Sequence, residues 1–184
     1  MDDMVKAAML KWPNVPACYG WLGLDARGRW WMRDAQAQAA GPFVGVGAQV
    51  ASRGEALRHE KLIEFIGRNY AQDERGCWYF QNGPQRVFVE LTLAPWVWRL
   101  QPGGSVLSHA GHEAQIETVW LDEHGRLYLG ADLGLGVVHS QDMLLAAGQI
   151  EAGAWQPREI PWAELVQRFG VVISPAQQFG ASGA

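Results

Sequence analysis

Hydrophobic and polar positions alternate through much of this chain, and the alternation breaks at regularly placed turns. Gly20 to Leu24 and Arg29 to Arg33 read as a first hairpin around Asp25-Ala26-Arg27-Gly28. Cys77 to Gln81 and Gln85 to Leu93 read as a second, joined at Asn82-Gly83, a dipeptide that matches strand twist. In its second strand Val87, Val89, Leu91 and Leu93 share one face, while Phe88, Glu90 and Thr92 take the other, a partly solvated or separately covered face. After Pro95, Trp96, Trp98 and Leu100 alternate with Val97 and Arg99, predicting a third strand of the same sheet. Ile116 to Leu121, Arg126 to Ala131 and Leu133 to Val138 predict three more.

Helical spacing is clearest from Ser52 to Tyr70. Leu62, Ile63, Ile66 and Tyr70 form an apolar stripe with Leu57 and Phe65 nearby, and Ser52 with Glu55 makes a capping box. A short helix is expected from Ser140 through Ala147 with Gly148 as its stop, and a last one from Pro161 to Phe169 before Gly170. Ala35 to Val50 reads as a loop with one short strand at Phe43 to Val46, and Val171 to Ile173 as an edge strand.

One turn phrase recurs at a spacing of about 50 residues, the range of a repeated supersecondary unit. Its copies begin at Asp25, Asp73 and Asp122, carry glycine at Gly28, Gly76 and Gly125, and lead into Trp30-Trp31, Trp78-Tyr79-Phe80 and Leu127-Tyr128-Leu129. Aspartate accepts turn N–H groups and glycine takes the left-handed conformation, so each copy is a hairpin tip. The fold class predicted is α+β: two strand-rich units of twisted antiparallel sheet, each with a packed helix, built on this repeated hairpin. The expected organisation is an N-terminal arm at 1–12, a first unit at 13–101, a linker at 102–113, a second unit at 114–175 and a flexible tail at 176–184.

Composition narrows the function classes. Of 184 residues, 48% are hydrophobic and 18% charged, which excludes a disordered or coiled-coil chain. A net charge of −4 and an isoelectric point near 5.7 argue against nucleic acid and anionic membranes as partners. The acidic start Met1-Asp2-Asp3 is unlike a secretory signal, so a cytoplasmic location is expected, with Cys18 and Cys77 as reduced thiols.

No set of residues forms a catalytic signature. His109-Ala110-Gly111-His112-Glu113 has metal-ligand spacing but a glycine-rich loop context, so no metal and no cofactor is expected. His139-Ser140-Gln141-Asp142 reads as a helix start capped by Ser140, not as a hydrolytic triad. Gly134 and Gly136 do not form a dinucleotide-binding fingerprint. The ten tryptophans are the unusual feature, because alternation turns some of them away from one core. A ligand-binding surface at Trp96, Trp98 and Arg99, edged by Gln85 and Arg86, is therefore expected, with no catalytic residue.

The order of the Gly28-Arg29-Trp30-Trp31 strand, a helix, the Asp73 hairpin, Val87-Phe88-Val89-Glu90-Leu91, Ala94-Pro95-Trp96-Val97 and a second strand-rich half resembles a bacterial family of unknown function. That resemblance implies two domains of repeated strand-and-helix motifs and a part in signal transduction. Sequence thus points to a non-enzymatic regulatory or binding module for a small apolar or aromatic ligand or a protein partner. A metal-dependent hydrolase using His109, His112 and Glu113 is the first alternative, and a structural homo-oligomer the second.

Overall fold

The computed structural model describes residues 1–180 and divides into two compact units. The first holds β1 (Cys18–Leu24), β2 (Trp30–Met32), β3 (Glu55–Ala56), β4 (Tyr70–Gln72), β5 (Trp78–Asn82) and β6 (Gln85–Leu91), with α1 (Asp3–Lys11), α2 (Ala35–Ala39) and α3 (Glu60–Arg68). Its sheet runs β3-β2-β1-β6-β5-β4. The second holds β7 (Trp96–Leu100), β8 (Val106–Ser108), β9 (Glu113–Ala114), β10 (Ile116–Leu121), β11 (Leu127–Ala131), β12 (Gly134–Val138) and β13 (Arg158–Glu159), with α4 (Met143–Glu151) and α5 (Trp162–Arg168). Its sheet runs β13-β10-β11-β12-β7-β8-β9. From Val172 the chain belongs to the first unit again, ending in α6 (Pro175–Phe179). The fold is α+β.

Apart from β13 the two sheets share one strand order, and their registers repeat. Leu22 faces Met32 and Leu24 faces Trp30, as Trp98 faces Ser108 and Leu100 faces Val106. Tyr79 faces Phe88 as Tyr128 faces Val137. Each sheet carries a parallel central pair, β1 with β6 and β12 with β7, so neither is purely antiparallel as expected. Central strands are covered on both faces, which is why Phe88, Val89, Glu90 and Leu91 are all buried where the pattern suggested one wet face.

The repeated turn closes the same way each time. The N–H of Asp25, Asp73 or Asp122 donates to the carbonyl of Arg29, Cys77 or Arg126, whose own N–H donates back to the aspartate. Two further segments use this closure: Gln101 N–H donates to Ser105 O at 2.9 Å, and Ser108 N–H to His112 O at 2.7 Å. Ser108 Oγ takes the aspartate's place, accepting from Ala110 and His112 N–H. The fourth residue is glycine at positive φ in all five: Gly28, Gly76, Gly104, Gly111 and Gly125. The expected linker at 102–113 is therefore two hairpin turns around β8. Glycine-rich composition is common to both, so the pattern could not separate them.

This relocates the expected boundary. Trp96–Leu100 pairs with β12 and β8 in the second sheet instead of ending the first. The expected arm at 1–12 holds α1 (Asp3–Lys11), with Val5 buried and Asp2 bonded to Asn69. In the expected tail, α6 is helical and capped by Ser174; residues 181–184 lie outside the described residues. Only an isolated bridge between Val172 and Cys77 stands for the expected edge strand.

The predicted Ser52 helix is replaced by a short 3-10 turn at Ala51–Arg53, then β3, then α3 capped by His59. Gly54 at φ +80° interrupts helical geometry, and Ser52 Oγ instead bonds Pro42 O and Gln49 N–H. The preceding segment forms α2, with no strand at 43–46, and is organised by the buried Arg33. Its guanidinium donates to Ser52 O, Gly20 O, Ala37 O and Gly41 O. At the Ser140 start, His139 caps a 3-10 turn and α4 runs through Gly148 to Glu151. The helix expected from Pro161 to Phe169 is α5, but it is not the last, since α6 follows it.

Candidate functional site

The two tryptophans expected at a surface are core residues of the second unit. Trp98 is 0% exposed and Trp96 4%, because β12 and β8 flank β7. Trp96 Nε1 donates to Leu133 O at 2.7 Å and Trp98 Nε1 to Leu129 O at 3.0 Å, so each indole is satisfied inside the fold. Arg99 turns out of the core and pairs with Asp142 at 2.6 Å. Gln85 and Arg86 belong to the first unit, where Gln85 Nε2 donates to Pro16 O. The five predicted residues thus fall in different units, and the expected groove at Trp96 and Trp98 is filled by the protein's own strands.

The histidine cluster is part of a turn. His109 Nδ1 accepts from Val97 N–H at 3.3 Å, and both His109 and His112 lie against the Trp96 ring, with centroids 5.6 and 6.0 Å away. Glu113 is exposed on β9. Among the described residues no group of three or more His, Cys, Asp or Glu side chains is placed to hold a metal ion. His139 Nδ1 accepts from Gln141 N–H, and Asp142 binds Arg99 and Leu100 N–H, which separates the residues of the His-Ser-Asp run into structural tasks.

Aromatic and cationic side chains converge elsewhere, on the first unit. A cleft of about 530 Å³ is lined by Pro16, Ala17, Cys18, Tyr19, Trp21, Arg75, Phe179 and Gly180. Tyr19 stacks on Phe88 with centroids 4.7 Å apart and planes 11° from parallel. Phe88 lies in a cluster with Cys77 and Tyr79, against which Tyr19, Val172 and Phe179 pack. Trp21 stands 47% exposed on the wall. Strand alternation does this: Leu22 and Leu24 are buried in β1 while Trp21 projects outward.

Arg75, from the Asp73 turn, is the cleft's cation. Its guanidinium lies 4.4 Å from the Phe179 ring centroid and 5.3 Å from that of Phe88. It donates to Tyr19 Oη and to Asp73, and these bonds hold its pKa above the ordinary arginine value, the phenol contributing most. Burial pushes the Cys77 thiol up to about 11, so Cys77 is a packing residue. A second recess shares Arg75 and adds Gln72, Asp73, Glu74, Tyr79 and Arg86, with the Arg86 guanidinium 4.8 Å from the Tyr79 ring.

Of the five residues expected at a ligand-binding surface, Arg86 alone lines this region, in the second recess. Tyr19, Arg75 and Phe179 come from three distant segments, and no local spacing announces them. The available hint was Tyr79 and Phe80 after the Asp73 turn, an aromatic run next to an arginine.

Residues 1–176 match a family model described as "Protein of unknown function (DUF2946)". No curated protein matches the chain. Two solved structures resemble it, both of DUF1285 family proteins. The one from Shewanella baltica OS155 has 15% sequence identity and a TM-score of 0.46, covering 70% of this chain and 91% of that one. The one from Silicibacter pomeroyi DSS-3 has 11% identity and a TM-score of 0.47, covering 79% and 83%. No helix among the described residues is long and apolar enough to cross a membrane.

Proposed function

The chain belongs to the family of proteins of unknown function whose model matches residues 1–176, and we propose that it is a non-catalytic binding module whose ligand is a small molecule with an aromatic or apolar face, held in the first-unit cleft. The observation that carries this reading is the half-exposed Trp21 indole on the wall of a cleft whose other faces are Tyr19 and Phe179. An exposed indole beside fixed rings offers a planar ligand contact area at little cost in side-chain ordering. The cleft volume lies within the range of small-molecule sites. Among the described residues no carboxylate or imidazole lines it. A regulatory role of the kind the sequence resemblance implies uses binding of this sort and needs no bond-making chemistry.

The test is a ligand-observed NMR screen of aromatic fragments against the wild-type protein and Trp21→Ala. Trp21 is outside the core, so the variant should keep its melting temperature within about 1 °C, the effect of a surface change of a few tenths of a kcal/mol. Fragments that bind the wild type and lose at least most of their signal with the variant support the reading. Equal binding by both proteins, or no binding by either, overturns it.

A further inference from the structure

We infer that the ligand of this cleft carries an anionic group, a carboxylate or phosphate attached to its aromatic face, which docks on the free edge of Arg75. The inference rests on the binding reading above and adds the ligand's charge.

Among the described residues that line the cleft, Arg75 alone carries formal charge. Its donors are only partly engaged. Nε and Nη2 face Asp73, at 3.0 and 2.9 Å, and Nη2 also reaches Tyr19 Oη at 3.4 Å. Among the described residues Nη1 has no acceptor, since the printed bonds of the guanidinium run from Nε and Nη2, leaving the two N–H groups of Nη1 open to an incoming anionic oxygen. The fork cannot swing away to find solvent partners freely. It is held by Asp73 on one edge and lies over the Phe88 and Phe179 rings. A ligand ring laid against Trp21 and Tyr19 would present an attached anion to that open edge without displacing any existing bond.

The neighbouring recess is a poorer place for the charge. Arg86 lines it, but Glu74 lines it too and is exposed, so an anion there would meet a carboxylate as well as a guanidinium. Asp73 is different: its carboxylate already accepts from Arg75 N–H, Cys77 N–H and the Arg75 side chain, and it sits at the back of the guanidinium rather than at its open edge.

Isothermal titration of the full chain with 1-naphthoate and with its neutral analogue 1-naphthamide, at low salt, isolates the charge. Arg75 is 43% exposed, so water screens it and the expected preference for the acid is about tenfold rather than larger. The preference should fall to near unity in Arg75→Gln, whose fold is checked by circular dichroism, and it should shrink for the wild type as salt rises. Equal or tighter binding of the amide by the wild type overturns the anion inference while leaving the binding module standing. Tight amide-only binding does the same. Failure of both probes together with every aromatic fragment overturns the binding reading and this inference with it.

Discussion

Arg99 and Asp142 form a two-pronged ion pair, Nε to Oδ2 at 2.6 Å and Nη2 to Oδ1 at 3.2 Å, across forty-odd residues of chain. Asp142 Oδ2 also accepts from Leu100 N–H, so the carboxylate ties the start of α4 to β7. Hydrogen bonding from Arg99, foremost, holds Asp142 below the usual aspartate pKa. The stability this contributes is present above the unfolded-state aspartate value and is lost as pH falls through the lower folded value. Asp142→Asn should cost about 1–2 kcal/mol at neutral pH, the lower part of the range for a buried charge-assisted bond because Arg99 is half in water. Urea melts of both proteins at pH 7 and pH 3 check this. The difference should narrow in acid, and a gap that widens there removes the pair as its cause.

Asp122 should matter more than its counterparts in the other turns. Its fully buried carboxylate accepts from His124 N–H, Arg126 N–H, Arg126 Nε and Tyr128 Oη. Asp122→Ala strands several donors at once, including the buried phenol, and should cost about 3 kcal/mol. Tyr128→Phe removes one partner only and should cost about 1 kcal/mol. Chemical denaturation of the two variants measures the ratio, and equal costs would show that the phenol dominates.

The turns were legible in the sequence because their chemistry is local. Aspartate, glycine and the following aromatic residue sit within a few positions of one another, and three of the five closures were readable from that pattern. The two missed, at Gln101 and Ser108, have no aspartate and so read as linker. The parallel pairing of β1 with β6 and of β12 with β7 was not legible, since it joins strands far apart in the chain and alternation carries no information about strand neighbours. That omission displaced the site. Without β12 beside it, β7 leaves Trp96 and Trp98 uncovered. Trp12 and Trp21, both outside any repeated phrase, are the exposed indoles, and of the two Trp21 lines the cleft.

Gly136 shows the same cover from the other side. A Cβ there would stand 2.5 Å from Trp98 Cε2 and 2.8 Å from Trp96 Cβ, and both indoles are pinned by hydrogen bonds to backbone carbonyls. Neither ring can withdraw without breaking its bond. Gly136→Ala should therefore destabilise by about 1–3 kcal/mol through overpacking, although alanine is otherwise suited to a strand better than glycine. Thermal melting followed by near-ultraviolet circular dichroism reads both stability and the tryptophan environment. A variant as stable as wild type with an unchanged spectrum would mean that β12 is looser than the structure shows.

Glu90 predicts the opposite pH response to Asp142. It is 1% exposed, and burial, the largest influence, raises its carboxyl above the ordinary value; Ser174 and Ala176 hydrogen bonds and Arg33 pull it partway back. A raised folded pKa means that its favourable contribution is complete below the unfolded glutamate value of about 4.3 and is lost as pH rises through the folded value. Glu90→Gln keeps an oxygen for Ala176 N–H and cannot ionise. Its melting temperature should gain on the wild type as pH rises from about 4.3 toward neutral. A pH-independent difference between the two proteins would remove ionisation of Glu90 from the account.

The two cysteines give the least expensive test of the cleft. Cys77 is 0% exposed and its thiol is pushed up to about 11 by burial, so little thiolate forms near neutral pH and no reagent reaches it. Cys18 is half-buried and lines the cleft. Iodoacetamide at pH 7.5 should therefore add one carbamidomethyl group to the native protein, located at Cys18 by peptide mass spectrometry, and a second only in denaturant. A bound ligand seated between Trp21 and Phe179 would cover Cys18, so saturating 1-naphthoate should slow the first modification severalfold and leave the denatured rates alone. Labelling of Cys77 at the native rate of Cys18 would contradict the packing of the Tyr79 and Phe88 cluster. An unchanged Cys18 rate with a ligand that titrates at the same concentration would move the binding site away from this cleft.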